Sequence, residues 1–229
     1  MERLALDRFS SPWLRNQHLA RYRWAAGFAS GLRVLDAASG TGYGSRILRD
    51  AGAVHVTSMD LSGEASGLAF VRADASRLPA RHGAFDLYVS FETIEHVEDD
   101  DALVREARRV LSAGGKFLCS TPNRDLLSPG LTLRDRPRNP YHVREYSIGE
   151  FESLLASAFP RVTLFGQTWF SERHRSFLAR AGGWSNVLSV RLHQLSNLAR
   201  LPRESETRHR PEPLARGGVP EVVIAVCEA

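Results

Sequence analysis

Three short segments hold the residues whose types and spacing suit chemistry. The first is glycine-rich, Gly40-Thr41-Gly42-Tyr43-Gly44, and glycine lets a backbone turn sharply and approach a ligand closely. Amides at the start of a helix that follows such a loop favour a negatively charged group. Asp60 comes twenty residues after Gly40, where an acid can bind the two hydroxyls of a ribose. The loop alone is a weak signal, with a plain tight turn as the alternative, but together with the acids at the strand ends it fits a dinucleotide or an adenosyl cofactor.

The second segment combines two carboxylates and an imidazole: Glu92, Glu95 and His96. Their i, i+3, i+4 spacing places them on one face if the segment forms a helical turn. Such donors suit a divalent cation or proton transfer, although histidine is atypical for magnesium. We favour the interpretation without a metal, in which His96 lines a pocket, and its role as a base or as a substrate contact stays open.

The third segment is Asn139-Pro140-Tyr141-His142-Val143-Arg144-Glu145-Tyr146, a polar and aromatic stretch before a capped helix. His142 is the candidate base, since neutral imidazole is available at physiological pH. Tyr146 or Arg144 would orient an acceptor. The alternative is a structural loop whose polar groups cap the helix that begins at Ser147.

The elements that must position these segments alternate between strand and helix. Apolar runs predict strands at 33–37, 53–59, 68–73, 85–91 and 116–121, with two later candidates at 162–170 and 222–226. Helices are predicted after Ser11-Pro12, after the glycine loop, from Asp99 to Gly114-Gly115, after the capping box Ser147–Glu150, and in 177–181 and 187–201. This alternation predicts an α/β fold whose parallel sheet has helices on both faces. Asp60 and Asp74-Ala75 would end strands at the edge where such sheets bind ligands.

Composition bounds the class of protein. The 229 residues are 43% hydrophobic and 24% charged, which is ordinary globular usage and excludes disorder and fibrous repeats. The two cysteines, Cys119 and Cys227, are too few for a disulfide framework or a cysteine zinc site. No apolar run is long enough to cross a bilayer, and the N-terminus has acids where a signal peptide needs apolar residues. We therefore expect a cytoplasmic protein.

Basic charge is concentrated late in the chain. The net charge is +4, and residues 171–217 hold nine arginines against four glutamates. This stretch is predicted to be an insertion, 171–218, between the last two strands. Arginines beside aromatic side chains can bind phosphates and bases, but a solvated lid or a dimer contact is the interpretation that we favour.

Five ordered motifs resemble class I S-adenosylmethionine-dependent methyltransferases. They are Val34–Gly44, Asp60, Ala73-Asp74-Ala75, Phe85–Phe91 continuing into Glu92–Val97, and Arg109–Phe117. The resemblance covers about residues 33–165 and the last strand. It implies a Rossmann-like fold in which the last strand lies antiparallel beside the fifth, so that Cys119 and Cys227 fall on neighbouring strands. Both are expected to be small buried apolar residues rather than a redox pair.

The resemblance also implies a cofactor and its site. S-adenosyl-L-methionine would be held by Asp36, Ala38, Gly40, Gly42, Asp60, Leu61, Asp74, Ala75 and Phe91. Two features depart from the family pattern: Ala38 replaces the first glycine of the usual set, and only thirteen residues separate Asp60 from Asp74. The short segment between these two acids would leave one side of the adenine pocket thin.

The implied reaction is methyl transfer to a small-molecule acceptor. In ubiquinone-type O-methyltransferases, segments similar to Glu92–His96 can hold magnesium, and in related enzymes a segment similar to Asn139–His142 faces the substrate. We expect transfer to a hydroxyl of a quinone, secondary metabolite or sugar, with His142 or His96 as general base. The alternatives are an RNA methyltransferase that uses the basic insertion, a cofactor-binding protein that has lost transfer, and, for the glycine loop alone, a nicotinamide dehydrogenase. Nucleic acid is the less favoured partner, and a homodimer stays open.

We expect one methyltransferase domain. Residues 1–30 would form a helical lid, 33–165 the cofactor-binding core, 171–218 the arginine-rich insertion and 219–229 the last strand.

Overall fold

The central feature is an eight-stranded mixed sheet. The computed structural model describes residues 12–62, 69–181, 209–214 and 218–229. Its strands are β1 (Arg33–Ala37), β2 (His55–Asp60), β3 (Ala69–Arg72), β4 (Phe85–Phe91), β5 (Leu111–Pro122), β6 (Arg161–Phe170), β7 (Glu212–Pro213) and β8 (Val219–Glu228), in the order β3-β2-β1-β4-β5-β8-β6-β7. The first five run parallel, and β8 lies antiparallel between β5 and β6. The Rossmann-like α/β prediction is confirmed, including the antiparallel last strand beside β5.

Helices cover both faces of the sheet. They are α1 (Pro12–Ala26), α2 (Tyr43–Asp50), a 3₁₀ turn (Ile94–His96), α3 (Asp100–Val110), α4 (Arg124–Leu127), α5 (Ile148–Ala156) and α6 (Glu172–Ala181). Helices α1 and α2 pack on one face, where Tyr22, Ala25 and Leu48 are buried. Helices α3 and α5 pack on the other, through residues such as Leu103 and Phe151. Successive β8 residues point alternately into these two cores, as the period of a strand requires.

Local signals set several helix ends as expected. The Asp99 side chain accepts a hydrogen bond from the Ala102 amide and begins α3. Ser147 and Glu150 form a reciprocal capping box at the start of α5. The end of α3 is different from the prediction: the helix stops at Val110, and Gly114-Gly115 lies inside β5. Pairing with β4 jumps from Leu111 to Lys116, so the glycines occupy an irregularity in the strand and do not terminate the helix.

Both cysteines are free and buried, on neighbouring strands as expected. In the pairing of β5 with β8, Phe117 faces Cys227 and Cys119 faces Ala225. They fill the same core as small apolar residues.

Part of the region predicted as an insertion forms a strand of the sheet before the last strand. The helix expected at 177–181 begins earlier, at Glu172, while the one expected at 187–201 lies outside the described residues, as does the segment 63–68. Strand β7 pairs with β6, and the fully buried His209 packs edge-on against Trp13. None of the helices in the described part of the chain has the length and apolar character to cross a bilayer.

Candidate functional site

A cavity of about 530 Å³ opens at the edge of the sheet where the parallel strands end. Since β8 runs in the opposite direction, its beginning reaches the same edge. We call the residues after β1, β2 and β3 the cofactor side, and those after β4 and β5, on α1 and at the start of β8 the acceptor side. Eleven residues predicted from the sequence line this one cavity: Ala38, Gly40, Asp60, Leu61, Asp74, Ala75, Phe91, Glu92, Glu95, His96 and His142.

The glycine loop is bound to the tip of β2. The Gly40 amide donates a 3.0 Å hydrogen bond to Asp60 Oδ2, and the Ser62 amide donates to Oδ1 of the same carboxylate. A Cβ built on Gly40 would meet no atom within 4 Å, so that face of the loop is open. The open backbone, with a carboxylate beside it and apolar Leu61 and Ala75 in the wall, fits the adenosyl cofactor that the resemblance implies.

Ala38 adopts a backbone conformation that glycine favours. Its φ is 57°, in the left-handed region, where a Cβ costs roughly 1–2 kcal/mol. The family pattern has glycine at this position, and the backbone explains why. The alanine keeps the turn but strains it.

Asp36 and Gly42 do not line the cavity. The Asp36 carboxylate lies beneath the loop, where the Tyr22 hydroxyl and the Ser45 hydroxyl donate hydrogen bonds to it. Burial raises the pKa of Asp36 to about 6. Gly42 precedes α2 with a φ of 73°. In this structure Asp36 supports the loop from beneath, and Gly42 provides the left-handed turn into α2.

Gly44 has a packing role that the loop motif did not reveal. A Cβ on this residue would lie 2.2 Å from the ring of Tyr22, so only glycine lets α2 approach α1 this closely. Tyr22 lines the cavity and also hydrogen bonds to Asp36. Gly44 therefore connects the glycine loop to the first helix.

Glu92 forms an ion pair with a buried arginine. Its Oε1 lies 2.7 Å from Arg21 Nη1 and accepts a 2.8 Å hydrogen bond from the Ser120 hydroxyl. The guanidinium is fully buried, also donates to Gln167, and lies 5.5 Å above the Phe91 ring. This pairing removes Glu92 from the metal set that the sequence suggested.

The groups that the structure does bring together are Glu95, His96 and His142, with ligand atoms within 4.8 Å of one another. Burial, followed by the charge of Glu92, raises the pKa of Glu95 well above its usual range, which favours its neutral form. Magnesium prefers several oxygen ligands, and a set of one carboxyl and two imidazoles does not fit it. The residues present therefore do not support the magnesium site that the family resemblance left open.

His142 is held from both ring nitrogens. Nδ1 lies 2.8 Å from Glu145 Oε1, and Nε2 lies 2.8 Å from Asn139 Nδ2. The side chains of His142 and Glu145 are only 4% and 1% exposed. His96 contacts the His142 ring edge-on, and its own Nδ1 donates to the Tyr141 carbonyl.

The two residues expected to orient an acceptor point elsewhere. Arg144 forms an ion pair with Asp100, and the Tyr146 hydroxyl donates a 2.7 Å hydrogen bond to the same carboxylate. Neither residue lines the cavity. They attach the loop to the start of α3, so their role here is structural.

The first helix, part of the lid predicted for residues 1–30, supplies cavity residues, of which the sequence analysis missed Leu14, Gln17 and His18. Leu14, Gln17, His18 and Tyr22 lie on one face of α1 and line the cavity. Burial lowers the pKa of His18 well below its usual range, so the neutral form is favoured. The sequence did contain a signal for these residues. Polar side chains recur at helical spacing between apolar ones, on a helix face that is buried against the core.

Glu221 is the other missed residue, at the start of β8. Its Oε2 accepts a 2.9 Å hydrogen bond from Gln17 Nε2 and a 3.3 Å bond from Trp13 Nε1. Burial raises its pKa to about 7. This carboxyl reaches the ligand-binding edge of the sheet only because β8 runs antiparallel. No local sequence pattern predicts that position.

Comparison with known proteins agrees with this geometry. Residues 35–119 match a protein family described as "Methyltransferase domain". A relative from Mycolicibacterium smegmatis, named a probable S-adenosylmethionine-dependent methyltransferase, is 39% identical over 156 residues, which are 64% of this chain and 58% of the relative. A protein of the same name from Mycobacterium tuberculosis is 36% identical over 182 residues, 75% of this chain and 64% of the relative. The chain thus spans about three fifths of the length of these curated relatives.

A solved structure supports the fold over nearly the whole chain. It is a methyltransferase from Thermotoga maritima, described as S-adenosylmethionine-dependent and a possible histamine N-methyltransferase. It superposes with a TM-score of 0.63 at 16% identity and covers 94% of this chain and 92% of its own. At this identity the match establishes the shared fold.

Proposed function

We propose that this chain is a class I S-adenosylmethionine-dependent methyltransferase, and that it transfers a methyl group from S-adenosylmethionine to a hydroxyl of a small molecule. A quinone, a secondary metabolite or a sugar is the class of acceptor proposed. The observation that carries the proposal is the shared cavity, because Gly40, Asp60 and His142 all line it. A cofactor loop and an imidazole with no common volume would not support transfer.

The cofactor side binds and orients. When bound, S-adenosylmethionine supplies an electrophilic methyl carbon and a thioether leaving group. Asp60 hydrogen bonds to the ribose hydroxyls, and the open face of Gly40 admits the ligand next to the backbone. Leu61 and Ala75 form apolar walls beside Asp74 for the adenine. These contacts fix the position of the methyl carbon.

The acceptor side moves a proton. In-line displacement requires the acceptor oxygen at about 3–3.5 Å from the methyl carbon and aligned with the breaking bond. His142 Nε2 takes the hydroxyl proton, a type of assistance that contributes about 10²–10⁴-fold. His96 lines the same cavity, and its Nδ1 donates a hydrogen bond to the Tyr141 carbonyl. His96 serves as a substrate contact.

The charges of the cavity argue against an anionic acceptor. Among the described residues that line it there is no lysine or arginine, whereas Glu92, Glu95 and Glu221 are on the acceptor side. The buried Arg21 is already paired with Glu92. A phosphorylated or carboxylated acceptor would be buried beside acids without a cation, which is costly.

Two measurements test this proposal. Calorimetric titration with S-adenosylmethionine and S-adenosylhomocysteine is expected to show one site, and Gly42→Val, which forces a β-branched residue to a φ of 73°, is expected to abolish it. Next, label from methyl-labelled cofactor is followed into small-molecule fractions separated by charge, with transfer expected into the uncharged fraction. Absence of binding refutes the enzyme assignment, while label in the anionic fraction refutes the acceptor class.

A further inference from the structure

The tautomer of His142 is set by its neighbours. Asn139 Oδ1 accepts a 3.1 Å hydrogen bond from the Tyr141 amide, which orients the Asn139 side chain so that its NH₂ group faces His142 Nε2. Nε2 is thus an acceptor and carries no proton. The proton of the neutral ring must be on Nδ1, where Glu145 Oε1 accepts it at 2.8 Å.

The loop that carries Glu145 is fixed to the core on two sides. The Val143 amide donates to the Glu95 carbonyl at 2.8 Å, and Arg124 donates through Nη1 to the Glu145 carbonyl and through its amide to the Tyr146 carbonyl. These bonds position the carboxylate before any ligand enters. The His142–Glu145 distance is therefore a property of the folded chain.

Glu145 is poorly satisfied while His142 is neutral. Its second oxygen, Oε2, is buried, and in the described part of the chain nothing donates a hydrogen bond to it. A buried carboxylate that has one neutral hydrogen-bond donor is stabilised when that donor becomes an imidazolium, because the hydrogen bond is then charge-assisted. The arrangement favours the charge that forms on His142 as the reaction proceeds.

We infer that Glu145 is a positioning residue for methyl transfer: it holds His142 in the Nδ1–H tautomer, leaving Nε2 as the proton acceptor in the cavity. This inference rests on the proposed function. The incoming hydroxyl replaces the Asn139 amide at Nε2. Its O–H bond breaks, the proton bonds to Nε2, and the oxygen electron pair forms the bond to the methyl carbon. The electron pair of the carbon–sulfur bond returns to sulfur, and Glu145 stabilises the imidazolium.

The experiment reads the tautomer directly. Long-range ¹H–¹⁵N NMR is recorded on the full chain with S-adenosylhomocysteine, and the His142 signals are assigned by their loss in His142→Asn. The wild type is expected to show the neutral Nδ1–H form. Because the Asn139 amide also donates to Nε2, the Glu145 variants are made in an Asn139→Ala background, which should by itself keep the Nδ1–H form. Adding Glu145→Leu removes the acceptor at Nδ1 and should make Nε2–H the major form, whereas the carbonyl oxygen of Glu145→Gln can still accept and should preserve Nδ1–H. Glu152→Leu, an exposed change on α5, should leave the spectrum unaltered.

Each result has a distinct meaning. A wild-type Nε2–H tautomer overturns the inference without any variant, so misfolding of Glu145→Leu cannot protect it. An unchanged tautomer in an Asn139→Ala/Glu145→Leu protein that binds S-adenosylhomocysteine overturns it as well. Failure of the wild type to bind that ligand, or to methylate any acceptor, instead refutes the proposed function. With an acceptor in hand, Glu145→Leu should lower kcat by about 10²-fold or more without changing cofactor affinity.

Discussion

The two sides of the cavity are built on different principles. The cofactor side draws on positions 36–75 and is held by the backbone, as in the bond from the Gly40 amide to Asp60. The acceptor side joins α1, the 3₁₀ turn, the 139–146 loop and β8 through side chains, such as Gln17 to Glu221 across 204 positions. The position of a ligand site held by the backbone is determined by strand order, whereas the position of a site held by side chains is determined by packing.

The electrostatics of the two sides also differ. On the acceptor side, burial raises the pKa values of Glu95 and Glu221 and lowers that of His18. All three shifts favour the neutral form, so neutral proton donors and acceptors lie beside the proposed place of transfer. Near the cofactor side, burial raises the pKa of Asp36, which lies beneath the loop and outside the cavity.

The largest effect that separates the two sides is expected from His142→Ala. Turnover should fall by about 10²–10⁴-fold because the proton acceptor is lost, while affinity for S-adenosylhomocysteine stays near the wild-type value. Initial rates and calorimetry measure the two quantities, with the exposed His55→Ala as control. A parallel loss of rate and affinity would mean that the two sides are not separable.

The reverse pattern is expected from Asp60→Ala. Removing the carboxylate should weaken cofactor binding by about 1–3 kcal/mol, roughly 5-fold to 150-fold, through lost hydrogen bonds to a charged group. The rate at saturating cofactor should change little. Calorimetry on this variant and on Asp50→Ala, a surface control in α2, tests the expectation. Unaltered affinity in Asp60→Ala would remove the ribose-binding role.

Ala38→Gly should stabilise the turn on the cofactor side. Relief of the left-handed strain at φ 57° is expected to stabilise the fold by roughly 1 kcal/mol, after allowance for the greater freedom of glycine in the unfolded chain. Urea unfolding measures the gain. Ala69→Gly, on the exposed edge strand β3, is the matched control and should destabilise instead. The same sign for both variants would contradict the strain argument.

The smallest effect concerns pH and the acceptor side. Because the pKa of Glu221 is raised from its ordinary value of 4.5 to about 7, its stabilising contribution is complete below about pH 4.5 and is lost as pH rises to about 7. Glu221→Gln should therefore flatten the stability curve across this window. Unfolding free energies of wild type, Glu221→Gln and the exposed Glu152→Gln provide the measurement. Parallel curves for the first two would show that Glu221 does not titrate there.

Sequence reasoning reached the cofactor side more fully than the acceptor side. Ala38, Gly40, Asp60 and Asp74 line the cavity as expected, since each follows a strand that the apolar pattern had marked. His142 was also found, from its neighbourhood of polar residues. Its partner Glu145 was not, because the i, i+3 spacing of a loop does not predict contact until the loop path is known.

Local sequence determined the strands, the capped helices, the glycine turn and the acids at the strand tips, because these depend on backbone conformation and on neighbours a few residues away. Tertiary structure alone decided that Glu92 pairs with Arg21, that Arg144 and Tyr146 point to Asp100, and that Gln17 and Glu221 share the cavity. The physical reason is that burial removes water as a hydrogen-bonding partner. Each buried polar group must then find its partner among side chains that packing brings near, whatever their separation along the chain.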